Sequence, residues 1–222
     1  MLTPVWIKFG LAFTGLISIV GCTTTMKSLP SYTPPALSSA AIGREANGVK
    51  VSVDPIYDKA RAKEYFNMDA LTYGIFPILI RAENTNPDTS FILHKENIKI
   101  VLNGANPLEV AAQIIDLRSF GVTNYKNENY SRDFAVQSVI WGPLGGWAMA
   151  DERNQRIVRD VQERFIEGEL GNKTLSTGQQ AVGFVYFNVR KEQATQGGAL
   201  KIQVFDTRNQ QGTQLEIPIH TE

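Results

Sequence analysis

The chain has 222 residues, and its 22 lysines and arginines are balanced by 22 aspartates and glutamates. That balance offers no electrostatic case for nucleic acid, or for an anionic lipid surface, as a partner. Cys22 is the only cysteine, so no disulfide can form within the chain, and stability has to come from an apolar core.

At the start, Lys8 precedes an apolar run of about a dozen residues that ends at Val20, too short to span a bilayer and typical of a signal peptide. The run closes in Ile19-Val20-Gly21-Cys22, which resembles the lipobox of bacterial lipoproteins. The resemblance implies cleavage between Gly21 and Cys22, a diacylglycerol on the Cys22 sulfur and an acyl chain such as palmitate on the new amino terminus. At ~0.8 kcal/mol per buried methylene, three acyl chains hold a protein on a membrane far more firmly than one can. Thr23 stands where an aspartate would be the inner-membrane retention signal of enterobacterial lipoproteins. In a Gram-negative host the resemblance therefore implies the outer membrane, facing the periplasm.

Without residues 1–21 the chain is long enough for one well-packed domain. Residues 22–48 follow the cleavage point and are rich in Thr, Ser, Pro and Ala, with Pro30, Pro34 and Pro35 and few large apolar side chains. They are expected to form a flexible tether with a mean reach of roughly 25–30 Å. The domain is expected over 49–222.

Period-two alternation then recurs in short runs. Val49, Val51 and Val53 form one face of a strand, and Phe76, Ile78, Ile80 and Ala82 another, which Asn84-Thr85-Asn86-Pro87-Asp88 ends. Ile98, Ile100 and Leu102 precede the turn signal Asn103-Gly104. Val182, Phe184 and Tyr186 alternate with Val185, Phe187 and Val189, the pattern of a central strand buried on both sides. Leu200, Ile202 and Val204 pair with Leu215, Ile217 and Ile219 in a closing hairpin around Asn209-Gln210-Gln211-Gly212. With further strands at 90–94 and 107–114, the spacing predicts a mainly β chain folded as an antiparallel sandwich.

The texture changes in the middle. Residues 134–150 are uncharged and contain Trp141, Gly142, Pro143, Gly146, Trp147 and Ala150. Charges return over 151–167, where Ile157, Val158, Val161 and Phe165 recur at helical spacing and Glu152 with Arg156 and Asp160 with Arg164 stand four apart. Two helices joined at Gly142-Pro143 are expected over about 132–168, stopped at Gly168 or Gly171: an α-helical hairpin inserted in the sandwich.

Two stretches carry resemblances. Residues 81–87, Arg-Ala-Glu-Asn-Thr-Asn-Pro, followed by Ile98 to Gly104, are similar to a strand, Asn-Pro turn and strand of immunoglobulin-like domains of the late-embryogenesis-abundant, water-stress type. Thr174 to Gly178, followed by Gly183 to Phe187, resembles a pattern of telokin-like extracellular bacterial domains. The arrangement also looks like uncharacterised bacterial lipoproteins with a Gly/Ala-rich helical segment inside such a domain. These resemblances imply an immunoglobulin-like sandwich and no known activity.

An enzyme would need a constellation, and the inventory is thin. His94 falls at a strand end, and His220 two residues from the C-terminus. With Cys22 lipidated, no His/Cys metal cluster can be assembled. Asp54, Asp58 and Asp69 lack the spacing of a calcium loop, Asp88 suits a turn, and Asp151-Glu152 suits a helix N-terminus. No phosphate loop ending in Gly-Lys-Ser/Thr and no Gly-x-Ser-x-Gly elbow occurs. Neither a cofactor nor a metal is expected, and catalysis is the minor reading.

The functional candidate is 134–150. Gly142, Gly146 and Ala150 stand at i, i+4 and i+8, a small-residue stripe that lets another helix come close, and Trp141 and Trp147 bracket it. The stripe can pack on its own sheet, meet another envelope protein or a second copy of the chain, or touch a membrane surface. The reading preferred on sequence is a lipid-anchored, non-enzymatic module that binds or scaffolds a protein; the alternatives are a membrane-inserting or oligomer-forming envelope component and an enzyme of unrecognised type.

Overall fold

The computed structural model describes residues 33–104, 107–113, 151–152 and 154–220. Two antiparallel sheets face each other across a core. The first runs in the order β1 (Ile42–Ala46), β2 (Val49–Pro55), β3 (Ile75–Asn84) and β7 (Gln180–Asn188). In the second, β4 (Phe91–Leu102), β8 (Gly198–Asp206) and β9 (Gly212–Ile219) are neighbours, and β5 (Leu108–Ala111) and β6 (Lys173–Leu175) share the other edge of β4. The expected mainly β antiparallel sandwich is the fold of the chain.

The alternating runs land as the period requires. Val49, Val51, Val53, Phe76, Ile78, Ile80, Ile98, Ile100, Leu200, Ile202, Leu215 and Ile217 lie fully buried between the sheets. Each such side chain contributes about 1.5–3 kcal/mol by leaving water. The opposite face of the first sheet is covered as well. There Ile75 and Leu79 of β3 and Phe184 and Tyr186 of β7 meet Phe66 of α1 (Lys59–Phe66), Ala70 of a 3₁₀ turn (Ala70–Tyr73), and Val161 and Phe165 of α2 (residues 151–168, residue 153 aside). Phe66 stacks on Phe165 at 4.4 Å between ring centroids and meets Phe184 edge-on at 4.8 Å. A short helix, α3 (Lys191–Ala194), links β7 to β8.

Four features differ from the sequence reading. The stretch expected to be tether contains β1, which pairs with β2 through the turn Asn47-Gly48; φ is +52° and +79° there, the left-handed pair that a tight hairpin demands. The strands expected at 90–94 and 98–102 are one strand, β4, joined through a bulge. α1 was not anticipated: Asp58 caps it by accepting from the Arg61 N–H at 2.8 Å, and Asn67 closes it in the left-handed region. Strand β7 is buried on both faces, yet it ends its sheet rather than sitting at the centre, because among the described residues its outer edge receives only single bridges from Gln113 and Glu169. α2 matches the expected second helix of the hairpin; the expected first helix falls outside the described residues.

Candidate functional site

Cys22 and the interaction residues Trp141, Gly142, Gly146, Trp147 and Ala150 also lie outside the described residues. The structure does describe the place from which the segment carrying the tryptophans departs, and to which it returns.

Strand β5 pairs with Lys99–Leu102 of β4, and β6 with Phe91–Leu93, both antiparallel. They are therefore two halves of one edge strand, and residues 112–172 are inserted between the halves. Opposite the break, β4 bulges: residues 94–97 stand against the single Gln203 of β8. The bulge has a packing reason, since it shifts the parity of the strand so that both Leu93 and Ile98 point into the core. It also turns Lys95 toward the returning chain. The Lys95 backbone N–H donates to the Asn172 Oδ1 at 2.8 Å, and the Lys95 ammonium pairs with the Glu169 carboxylate, each side chain largely shielded from solvent.

The departing chain bonds first to β4 (Ala112 N–H to Ile98 O, 2.9 Å) and then to β7 (Gln113 N–H to Tyr186 O, 3.0 Å). The returning chain uses β7 again, through Leu170 N–H to Phe184 O at 2.7 Å. That approach needs a glycine on β7, because a Cβ at Gly183 would lie 2.8 Å from the Leu170 backbone. A cleft of about 440 Å³ lined by Lys95, Glu96, Ala112, Gly171 and Asn172 remains at the root. The Tyr186 hydroxyl donates to the Phe165 carbonyl at 2.9 Å, which fastens α2 over the same strand.

A second cleft, of about 370 Å³, lies where the N-terminal chain reaches the first sheet, lined among others by Ile42, Asp54, Tyr57, Arg61, Thr195 and His220. Asp54 is 1% exposed. Its carboxylate accepts both arms of the Arg61 fork, at 2.7 and 3.2 Å, and the Ser38 N–H at 2.7 Å. The carboxylate raises the Arg61 guanidinium above its ordinary value, chiefly through that hydrogen bond, and the two side chains close on each other. Burial pushes the Tyr57 hydroxyl up to about 12.

Of the candidate titratable residues, Asp54, Asp58 and His220 line the N-terminal cleft, where Asp54 is already engaged by Arg61 and Ser38 and Asp58 by the start of α1. His94 sits on the β4 bulge with its Nδ1 3.5 Å from Glu96. Asp58 is the α1 cap, and Asp69 accepts the Thr72 hydroxyl at 2.8 Å. In the turn that holds Asp88 the local side-chain bonds come from asparagines instead: Asn84 accepts from the Asn86 N–H, and Asn86 from the Asp88 N–H. Asp151 accepts from Gln155 four residues on, and Glu152 pairs with Arg156. Among the described residues no three His, Cys, Asp or Glu side chains gather as metal ligands. No described helix is long and apolar enough to cross a membrane.

The two stretches that carried family resemblances meet in space. The buried Asn84 amide donates to Thr89 O and Leu175 O at 2.8 and 2.9 Å, and the Thr177 hydroxyl donates to Asn86 O at 2.9 Å. No protein-family model matches the chain, and no curated protein sequence matches it.

Proposed function

We propose that the chain is a lipid-anchored, non-enzymatic envelope lipoprotein whose sandwich carries residues 134–150, within the insertion 112–172, for binding to another envelope protein or to a second copy of itself. The observation that carries this reading is the root of the insertion. A segment of that length leaves and re-enters through one break in one edge strand, and its base is held by the Lys95–Glu169 pair, by the Asn172 bond and by the packing of Phe165. Such a mounting suits display, because a packed scaffold holds an inserted segment at a defined place. The bridges from Gln113 and Glu169 cover one side of the sandwich, and on the other side β1 lies against β9, with Asn47 donating to Thr213 at 2.9 Å. Strand addition at a sheet edge is accordingly the weaker docking mode.

The anchoring half rests on the lipobox-like Ile19-Val20-Gly21-Cys22. Fractionation of wild type and Cys22→Ala tests it: the wild type is expected with the outer membrane and the variant in the soluble fraction. Recovery of both in the same soluble fraction defeats the anchoring. Crosslinking in intact cells tests the binding half, with a specific crosslinked species expected through 134–150.

A further inference from the structure

We propose that Asp54 is a latch: it holds the chain upstream of β1 against the domain and keeps β1 from unzipping off β2 when the N-terminus is pulled. β1 is an edge strand of the first sheet. Among the described residues its backbone ladder runs on one side only, to β2, and its three middle residues, Gly43, Arg44 and Glu45, are exposed. Its pairing begins at Ile42 opposite Val53, so Asp54 lies just past the end of the ladder from which an N-terminal load would start to open it.

An antiparallel pair pulled from its end opens one residue at a time. A contact placed before the first pair takes the load instead. Ser38 supplies that contact by donating its N–H to Asp54, Ala41 closes a turn back onto the Ser38 carbonyl at 3.2 Å, and Leu37 packs on the second core. The Asp54 carboxylate passes the load inward, because Arg61 grips it from α1 with two bonds. That the load comes from a membrane rests on the proposed anchoring; the latch itself does not.

Hydrogen exchange on the purified full-length protein tests it with two variants. Asp54→Leu together with Arg61→Met replaces the ion pair by apolar side chains and leaves Ser38 without an acceptor, while Ser38→Pro deletes the donor and leaves the pair intact. In either variant, the β1 amides that bond to β2 are expected to exchange at least tenfold faster, with those of β3 and β8 unchanged. Trypsin cleavage after Arg44 should accelerate alongside. Unchanged exchange in β1 overturns the proposal. If the double variant loosens the whole domain, Ser38→Pro decides: faster exchange confined to β1 upholds the latch, and none overturns it. Failure of the anchoring would appear in fractionation and leave these rates where they are.

Discussion

Single side chains set the local margins of stability, and two of them allow sharp expectations. The Tyr57 hydroxyl is buried without a hydrogen-bond partner among the described residues, while its ring packs on Phe76 at 5.1 Å. An unpartnered buried hydroxyl is a cost, so Tyr57→Phe should stabilise the domain by about 0.5–1 kcal/mol, a rise in Tm of about 1–4 °C. A lower Tm would show that the hydroxyl has a partner. Asp206 gives a pH dependence. The Thr89 hydroxyl and then the Arg208 N–H, each at 2.7 Å, hold its carboxyl below the usual carboxylate value. A group whose folded pKa is depressed contributes stability above its unfolded pKa and loses it as pH falls through the folded one. In urea unfolding, the midpoints of wild type and Asp206→Asn should therefore converge as pH drops from about 5 toward 2. Midpoints that stay parallel would mean that the Thr89 bond adds nothing. At this scale the turn chemistry is unequally legible: Asn103-Gly104 follows an apolar alternating run and marks a turn, whereas the strand before Asn47-Gly48 is polar and exposed and gives no such frame.

Elements differ in how much of their stability is their own. α2 carries its periodic residues Ile157, Val161 and Phe165 on the face that meets β7, as their spacing predicts. By contrast, α1 is eight residues long, with only Ala62 and Phe66 buried, too few for a period to show. Its legible signal is the cap, Asp58 before the first turn. The two helices depend on each other through Phe66 and Phe165. Phe165→Ala should cost about 3–5 kcal/mol and lower Tm by about 10 °C, with α2 amides losing exchange protection before those of β3. Equal loss everywhere would mean that α2 is not a separate cooperative unit. Strand β4 shows the limit of pattern reading. Its apolar residues change parity between Leu93 and Ile98, so the sequence reads as two strands, and only the partner β8 reveals one strand with a bulge.

For the whole molecule, the proposed division of labour between scaffold and inserted segment can be tested at Gly146, the middle of the small-residue stripe. Gly146→Leu adds bulk where a partner helix is expected to come close, and overpacking of that kind costs about 1–3 kcal/mol wherever the contact is made. If the contact lies with a partner, Tm of the isolated protein should stay within about 1 °C of wild type while the crosslinked species disappears. A lowered Tm with crosslinks intact would make the stripe part of the protein's own packing and sink the interface. What the sequence by itself determined was the mainly β class, the inward face of nearly every long strand and the helix of 151–168, because period is a local property of a chain. The tertiary structure alone decided that β5 and β6 are halves of one strand, that β7 lies at an edge closed by Gln113 and Glu169, and that Lys95 meets Glu169 and Asp54 meets Arg61 and Ser38. Those pairings join residues that no period connects, and what selects them is the need to bury both faces of the first sheet with its polar groups paired.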